Sequence, residues 1–196
     1  PQWARTIAQL AIILSSLLNA WYFIQATIQI WKSEEEDVQE LYLAYYPERS
    51  LNPLFGSDYT NRVLMSLMYQ PLFAVDNRKN PTPILCGKHQ VSANQRNWFV
   101  YLDPDATFSD GTVLTARDVT ASLVAARENP VYKGRFTHVS AITTGEDNSV
   151  VITLRTPVED LPLLLDIPIV KASQVAEDRP LGTGPYALYT ATGGES

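Results

Sequence analysis

Two histidines, one cysteine and an acidic run are the residues whose types could hold a metal or serve a nucleophile in this 196-residue chain. A metal site needs clustered His, Cys, Asp or Glu. His89 and His138 are far apart, and neither has a ligand partner at i+3 or i+4, so both read as strand or surface residues. Cys86 stands in the apolar run Ile84-Leu85-Cys86, where a thiol acts as a small buried hydrophobe, and a single Cys forms no internal disulfide. Acyl transfer through a nucleophile elbow would need Gly-x-Ser-x-Gly, which is absent. Gly182-Thr183-Gly184 has the look of a phosphate loop, but Pro185 stands where a helix N-terminus would begin to donate N–H groups, and no Lys-Ser/Thr follows. The run Glu34-Glu35-Glu36-Asp37 reads as a solvated linker. No residue set points to an enzyme, and no cofactor is implied. Binding without catalysis asks for something else, a cleft with aromatic walls and a few polar groups. Tyrosine suits it, with a large rigid ring and one hydroxyl.

The elements that must position such groups follow from local pattern. Leu41 to Tyr46 predicts a strand, stopped by Pro47, with a loop to Asn52. Ser57 or Asp58 can cap a helix to about Tyr69, with Val63, Leu64, Leu67 and Met68 at helical spacing. Short strands are expected around Leu72–Val75 and Ile84–Cys86, and Asn97 to Leu102 alternates as a strand. Asp110-Gly111 is a turn pair feeding a helix over Ala116–Glu128, with Thr115 as N-cap, Asp118 reaching back, and Asn129-Pro130 as the stop. Val119, Leu123 and Ala126 make its core face. Ser140–Thr143 and Ser149–Leu154 read as a hairpin across Gly145-Glu146-Asp147-Asn148. Asp160 to Asp166 is a short apolar helix or turn among Pro157, Pro162 and Pro168.

The net charge of −6 argues against nucleic acid as a partner, since phosphate binding needs a basic patch. From Ile7 to Trp31 there is no charged residue. That run exceeds the roughly 20 residues a membrane helix needs. Arg5 precedes it and Lys32 with the acidic residues follows, which orients the C-terminal part outside. An uncleaved anchor fits better than a cleaved signal peptide, whose apolar region is shorter and whose small residues before the cut are hard to place, and better than a buried soluble helix.

Several stretches stand in an ordered series: Leu51-Asn52-Pro53-Leu54, Tyr69-Gln70-Pro71-Leu72, Pro83-Ile84-Leu85, Trp98-Phe99-Val100-Tyr101-Leu102, Phe108-Ser109-Asp110-Gly111-Thr112 with Asp118-Val119, Val150 to Leu154, and Gly182-Thr183-Gly184-Pro185-Tyr186. From about Leu41 to Tyr189 the series resembles the family 5 extracellular solute-binding proteins, the oligopeptide-, dipeptide- and nickel-binding receptors of ABC importers. Tyr69-Gln70-Pro71-Leu72 stands where the family has a Tyr-Glu-Pro-Leu-like element, and the series departs at His89, where an aromatic (usually Trp) is common, and at Asp103, where a basic residue is common.

The resemblance implies an α+β or α/β fold of the periplasmic-binding-protein type (type II, peptide-binding cluster). It would be a partial first lobe with an inserted α+β subdomain, preceded by one transmembrane helix. Residues 1–32 would be the anchor or signal segment and 33–40 an acidic linker. Residues 41–59 and 181–196 would belong to the first lobe and 60–180 to the inserted subdomain, with the second lobe outside these 196 residues. The lipoprotein anchoring common in the family would need a Cys at the end of the apolar run, and there is none. The resemblance places Tyr45, Tyr46, Pro47, Leu51 and Asn52 at the cleft. The expected partners are a small peptide or small chelate, ABC permease subunits, and the membrane through Ile7–Trp31. The expected location is extracytoplasmic. The alternative is a membrane-tethered sensory or accessory protein that reuses the fold.

Overall fold

Strict alternation along Asn97–Leu102 decides where the core lies. Trp98, Val100 and Leu102 are buried while Asn97, Phe99 and Tyr101 are half-buried, as successive side chains of a strand must point to opposite faces. The computed structural model describes residues 43–56 and 59–188, together with the single residue 15. The chain divides into two units, 1–43 and 44–196, and the described elements all belong to the second. In order they are α1 (Tyr59–Met68), β1 (Phe73–Val75), β2 (Pro81–Pro83), β3 (Cys86–Val91), β4 (Asn97–Leu102), α2 (Ala116–Glu128), a 3-10 turn (Lys133–Phe136), β5 (Val139–Thr144), β6 (Ser149–Leu154), α3 (Leu161–Leu164) and a second 3-10 turn (Ala172–Gln174).

Strands β3 to β6 form one antiparallel sheet in the order β3-β4-β6-β5. The register Trp98↔Ile152 and Val100↔Val150 sets buried residues side by side. Helix α2 packs on β5 and β6, and its expected core face, Val119, Leu123 and Ala126, is wholly buried. Its N-terminus forms as the sequence predicts. The Asp118 carboxylate accepts the Thr115 N–H at 2.9 Å. The β5–β6 turn adds a second cap. Asp147 and Asn148 take φ of 51° each, a region that Asn and Asp tolerate. From there Asn148 Oδ1 accepts the Ala116 N–H at 2.7 Å, and Asn148 Nδ2 donates to the Leu114 carbonyl. One turn residue thus closes the hairpin and joins it to the helix.

Three expectations are corrected. Residues 43–46 form no strand, because none of the described residues offers them a backbone ladder. Tyr46 is held instead by the side chain of Asn61. The strand expected at Ile84–Cys86 divides: Ile84 and Leu85 bend between β2 and β3, bonding back to Leu72 and Pro71, and Cys86 opens β3. In α1 the buried face is Asn61, Met65 and Met68, whereas Val63 is 54% exposed. The expected membrane helix over Ile7–Trp31, the acidic linker 33–40 and the cap candidates Ser57 and Asp58 lie outside the described residues. Among the described residues no helix is long and apolar enough to cross a membrane.

Candidate functional site

The two glycines of Gly182-Thr183-Gly184 lie against the C-terminal end of α1. A Cβ on Gly182 would sit 2.1 Å from the Met68 carbonyl oxygen, and one on Gly184 would sit 2.3 Å from that of Leu67. Any larger residue would collide with backbone, so the close approach requires glycine. The approach gives α1's last carbonyls their partners, with Gly184 N–H on Met68 O at 2.9 Å and Tyr186 N–H on Leu67 O at 3.3 Å. Buried Tyr69 continues the contact: its hydroxyl donates to Pro180 O at 2.8 Å, and burial pushes the phenol well above its ordinary range. The stretch read as a turn is therefore a joint between the return segment and α1.

The Phe108–Thr112 turn meets the same joint, through Ser109 N–H on Gly182 O at 3.0 Å. Gly111 has φ +78°, as the turn pair predicted. The Asp110 carboxylate accepts from Lys171 Nζ at 2.5 Å and from the Thr112 N–H and hydroxyl. The Lys171 hydrogen bond, with those of Thr112, holds this carboxyl far below the usual range. Asp118, besides capping α2, accepts the Ala172 N–H at 2.8 Å. These contacts are scaffold, and they fix where residues 171–188 run.

The five residues expected at the cleft divide into two kinds. Tyr45 is half-buried against the core, Tyr46 is 48% exposed, and Pro47 is exposed. Tyr46 is clasped by buried Asn61, whose Oδ1 takes its N–H at 3.0 Å and whose Nδ2 gives to its carbonyl at 3.1 Å. That fixes the backbone and leaves the ring outside. Leu51 and Asn52 are 0% and 1% exposed. Asn52 Nδ2 donates to Val175 O and Glu177 O at 2.8 Å each, and its Oδ1 accepts the Leu54 N–H. The structure thus leaves Tyr46 and Pro47 exposed and Tyr45 half-buried, and it buries Leu51 and Asn52.

Arg179, which the sequence did not single out, joins this loop to a cleft. Its Nη2 donates to Pro47 O at 2.9 Å. It also lines a cleft of about 220 Å³ with Met68, Ser109, Leu181, Gly182 and Tyr186 among its walls. Asn61 and Lys171 were likewise missed, and their neighbours in sequence carry no signal of what they bind. Of the residues weighed for metal or thiol chemistry, His89 stacks on Trp98 with ring centroids 5.6 Å apart, filling an aromatic place on β3. His138 Nδ1 bonds to Thr156 Oγ1. Burial pushes the Cys86 thiol up to about 11. Among the described residues no group of His, Cys, Asp and Glu could hold a metal ion.

Residues 80–196 match the middle region of the bacterial extracellular solute-binding proteins, family 5. A probable peptide ABC transporter periplasmic-binding protein of Sinorhizobium fredii, y4tO, is 28% identical over 133 residues, covering 61% of this chain and 24% of that protein. The structure of NikZ from Campylobacter jejuni in complex with Ni(L-His) superposes with a TM-score of 0.60 at 21% identity, covering 76% of this chain and 32% of that one. The structure of MoaA from A. tumefacien R10 in complex with mannopinic acid superposes with a TM-score of 0.62 at 26% identity, covering 70% and 31%. The chain therefore spans about a quarter of the curated relative and about a third of the matched structures. With a family match over more than half its length and the mixed α/β fold of periplasmic-binding-protein-like structures, the chain belongs to the family 5 bacterial extracellular solute-binding proteins.

Proposed function

We propose that this chain is part of an extracytoplasmic solute receptor of an ABC importer, of the peptide or nickel-chelate type, which delivers its ligand to a membrane permease. The observation that carries the reading is the family match over residues 80–196, with a relative described as a peptide transporter's binding protein. That description supports transport over a tethered sensory or accessory role. In this reading residues 41–59 and 181–196 belong to the first lobe and 60–180 to its inserted subdomain. Residues 7–31 hold the protein to the outer face of the membrane, and the receptor is not an enzyme. Tyr45, Tyr46 and Pro47 form part of the ligand wall, with Leu51 and Asn52 fixing the loop behind it. The mechanism is a hinge closure of two lobes that buries the solute and presents the closed form to the permease.

The test is calorimetry on the protein expressed from its whole reading frame, with a tripeptide pool and with nickel–histidine as probes, accompanied by small-angle scattering. Saturable binding with a fall in radius of gyration is the expected result. The absence of binding to either probe would refute the receptor reading.

A further inference from the structure

We infer that the cleft beside Arg179 is a subsite for a carboxylate group of the solute, with Arg179 as its specificity-determining residue. The inference rests on the receptor reading above and adds a chemical class to it. Arg179 is exposed and gives one N–H to Pro47 O. A guanidinium has five donors in a planar fork, so the remaining donors match the two oxygens of a carboxylate. Among the described residues no carboxylate pairs with Arg179, whereas the neighbouring cation, Lys171, is already paired with Asp110. Ser109 and Tyr186 line the same cleft, and among the described residues their hydroxyls have no hydrogen-bond partner.

The remaining walls are largely apolar, from Met68, Pro180, Leu181 and Leu188, and no acidic residue is among them. A volume of about 220 Å³ is below the usual range for a whole drug-sized ligand and suits one end of a solute, a carboxylate on a short stem. The Pro47 contact places that end beside the Tyr45–Pro47 loop, so one solute could touch both.

The experiment is a titration of the 15N-labelled 196-residue chain with N-acetylalanine and, separately, with N-acetylalaninamide. Saturable shifts of the Ser109 and Gly182 amides are expected with the acid. The amide should shift them at least tenfold more weakly. Arg179→Gln should weaken the response to the acid at least tenfold and leave the response to the amide unchanged. Should Arg179→Gln disturb the loop at Pro47, Arg179→Lys decides. It keeps the charge without the fork, and an intermediate affinity for the acid supports the subsite, whereas an affinity equal to wild type overturns it. No shifts, or equal shifts with acid and amide, also overturn it. This outcome is separable from failure of the receptor reading, which is judged by peptide and nickel–histidine binding to the whole protein.

Discussion

The sheet β3-β4-β6-β5 and the segment 44–56 belong to one unit but are held by different means. In the sheet, each strand is held by a ladder of backbone bonds to a neighbour. Many equivalent bonds share the task, and no single side chain is decisive. The segment 44–56 has no ladder. Asn61 clasps Tyr46, Asn52 reaches Val175 and Glu177, Arg179 holds Pro47, and Tyr132 and Asn129 hold the carbonyls of Pro53 and Leu54. Leu51 and Leu54 anchor the segment in the core, but its backbone groups rest on these few polar side chains and depend on each of them. The candidate ligand wall is thus presented by irregular chain on a rigid support, the usual arrangement for binding loops.

The largest effect is expected where the two regimes meet. Gly182→Ala would drive a Cβ to 2.1 Å from Met68 O, a collision with backbone that only a shift of the whole joint relieves. A loss of about 3–5 kcal/mol is expected, in the range of severe core disruption. Gly134→Ala is the control, since nothing lies within 4 Å of its Cβ position. That substitution should stay within about 0.5 kcal/mol of wild type. Denaturant melts of the two variants measure the contrast, and equal stability would show that the joint yields easily.

Next comes a comparison of one polar side chain from each region. Asn52→Ala leaves the buried Leu54 N–H without its acceptor and takes the amide from the part-buried bonds to the Val175 and Glu177 carbonyls. Its cost should be about 2–3 kcal/mol, the penalty for orphaned buried groups. Ser140→Ala on β5 removes an exposed hydroxyl's bond to Thr153 O. The ladder remains, so the change should be below about 0.5 kcal/mol. Similar melting midpoints for the two would erase the distinction between ladder and clasp.

The same distinction governs what was legible in the sequence. Helix α2 runs over the predicted residues because its signals are local: Thr115 and Asp118 at its start, Asn129-Pro130 at its end, and Val119, Leu123 and Ala126 on one face. Strand β4 was legible from period-2 alternation, β6 as one arm of a hairpin across the Gly145–Asn148 turn, and the turn at Gly111 from a residue pair. The roles of Asn61, Lys171 and Arg179 were not. Their partners lie 15, 61 and 132 residues away, and nothing in the local pattern of an Asn, a Lys or an Arg names them. The strand expected at 41–46 failed, over residues 43–46, for a related reason. Propensity supplies one side of a ladder, and the neighbour must be supplied by the fold. The resemblance placed Leu51 and Asn52 at the cleft, but nothing local in an amide and an aliphatic chain says that they are buried, which the fold shows.

A smaller effect tests a local device. In Thr115→Ala the helix keeps the Asp118 carboxylate on its N-cap N–H and loses the hydroxyl that donates to Asp118 at 2.5 Å. The expected cost is about 1 kcal/mol, typical of a lost N-cap. Asn148 also serves this end of α2, through Ala116 N–H. If Asn148 shares the capping, Thr115→Ala will fall short of that value, and the double variant with Asn148→Ala will lose more than the two single changes together, a non-additivity readable in a double-mutant cycle.

The smallest effect on stability is expected from Tyr46→Ala, and it bears most directly on function. The clasp by Asn61 uses the Tyr46 backbone N–H and C=O, which alanine retains. The ring is 48% exposed, so much of its surface is already in water. Truncation should therefore cost less than about 1 kcal/mol of stability. If the ring is a wall of the ligand cleft, its loss removes large rigid contact area, and solute affinity of the whole protein should fall at least tenfold, about 1.4 kcal/mol. Melting temperature and dissociation constant, measured on the same preparation, separate the outcomes. A stable variant with unchanged affinity would remove Tyr46 from the site. A variant that unfolds would show that the Tyr46 ring packs on the unit and adds to the apolar anchoring that Leu51 and Leu54 already give this segment.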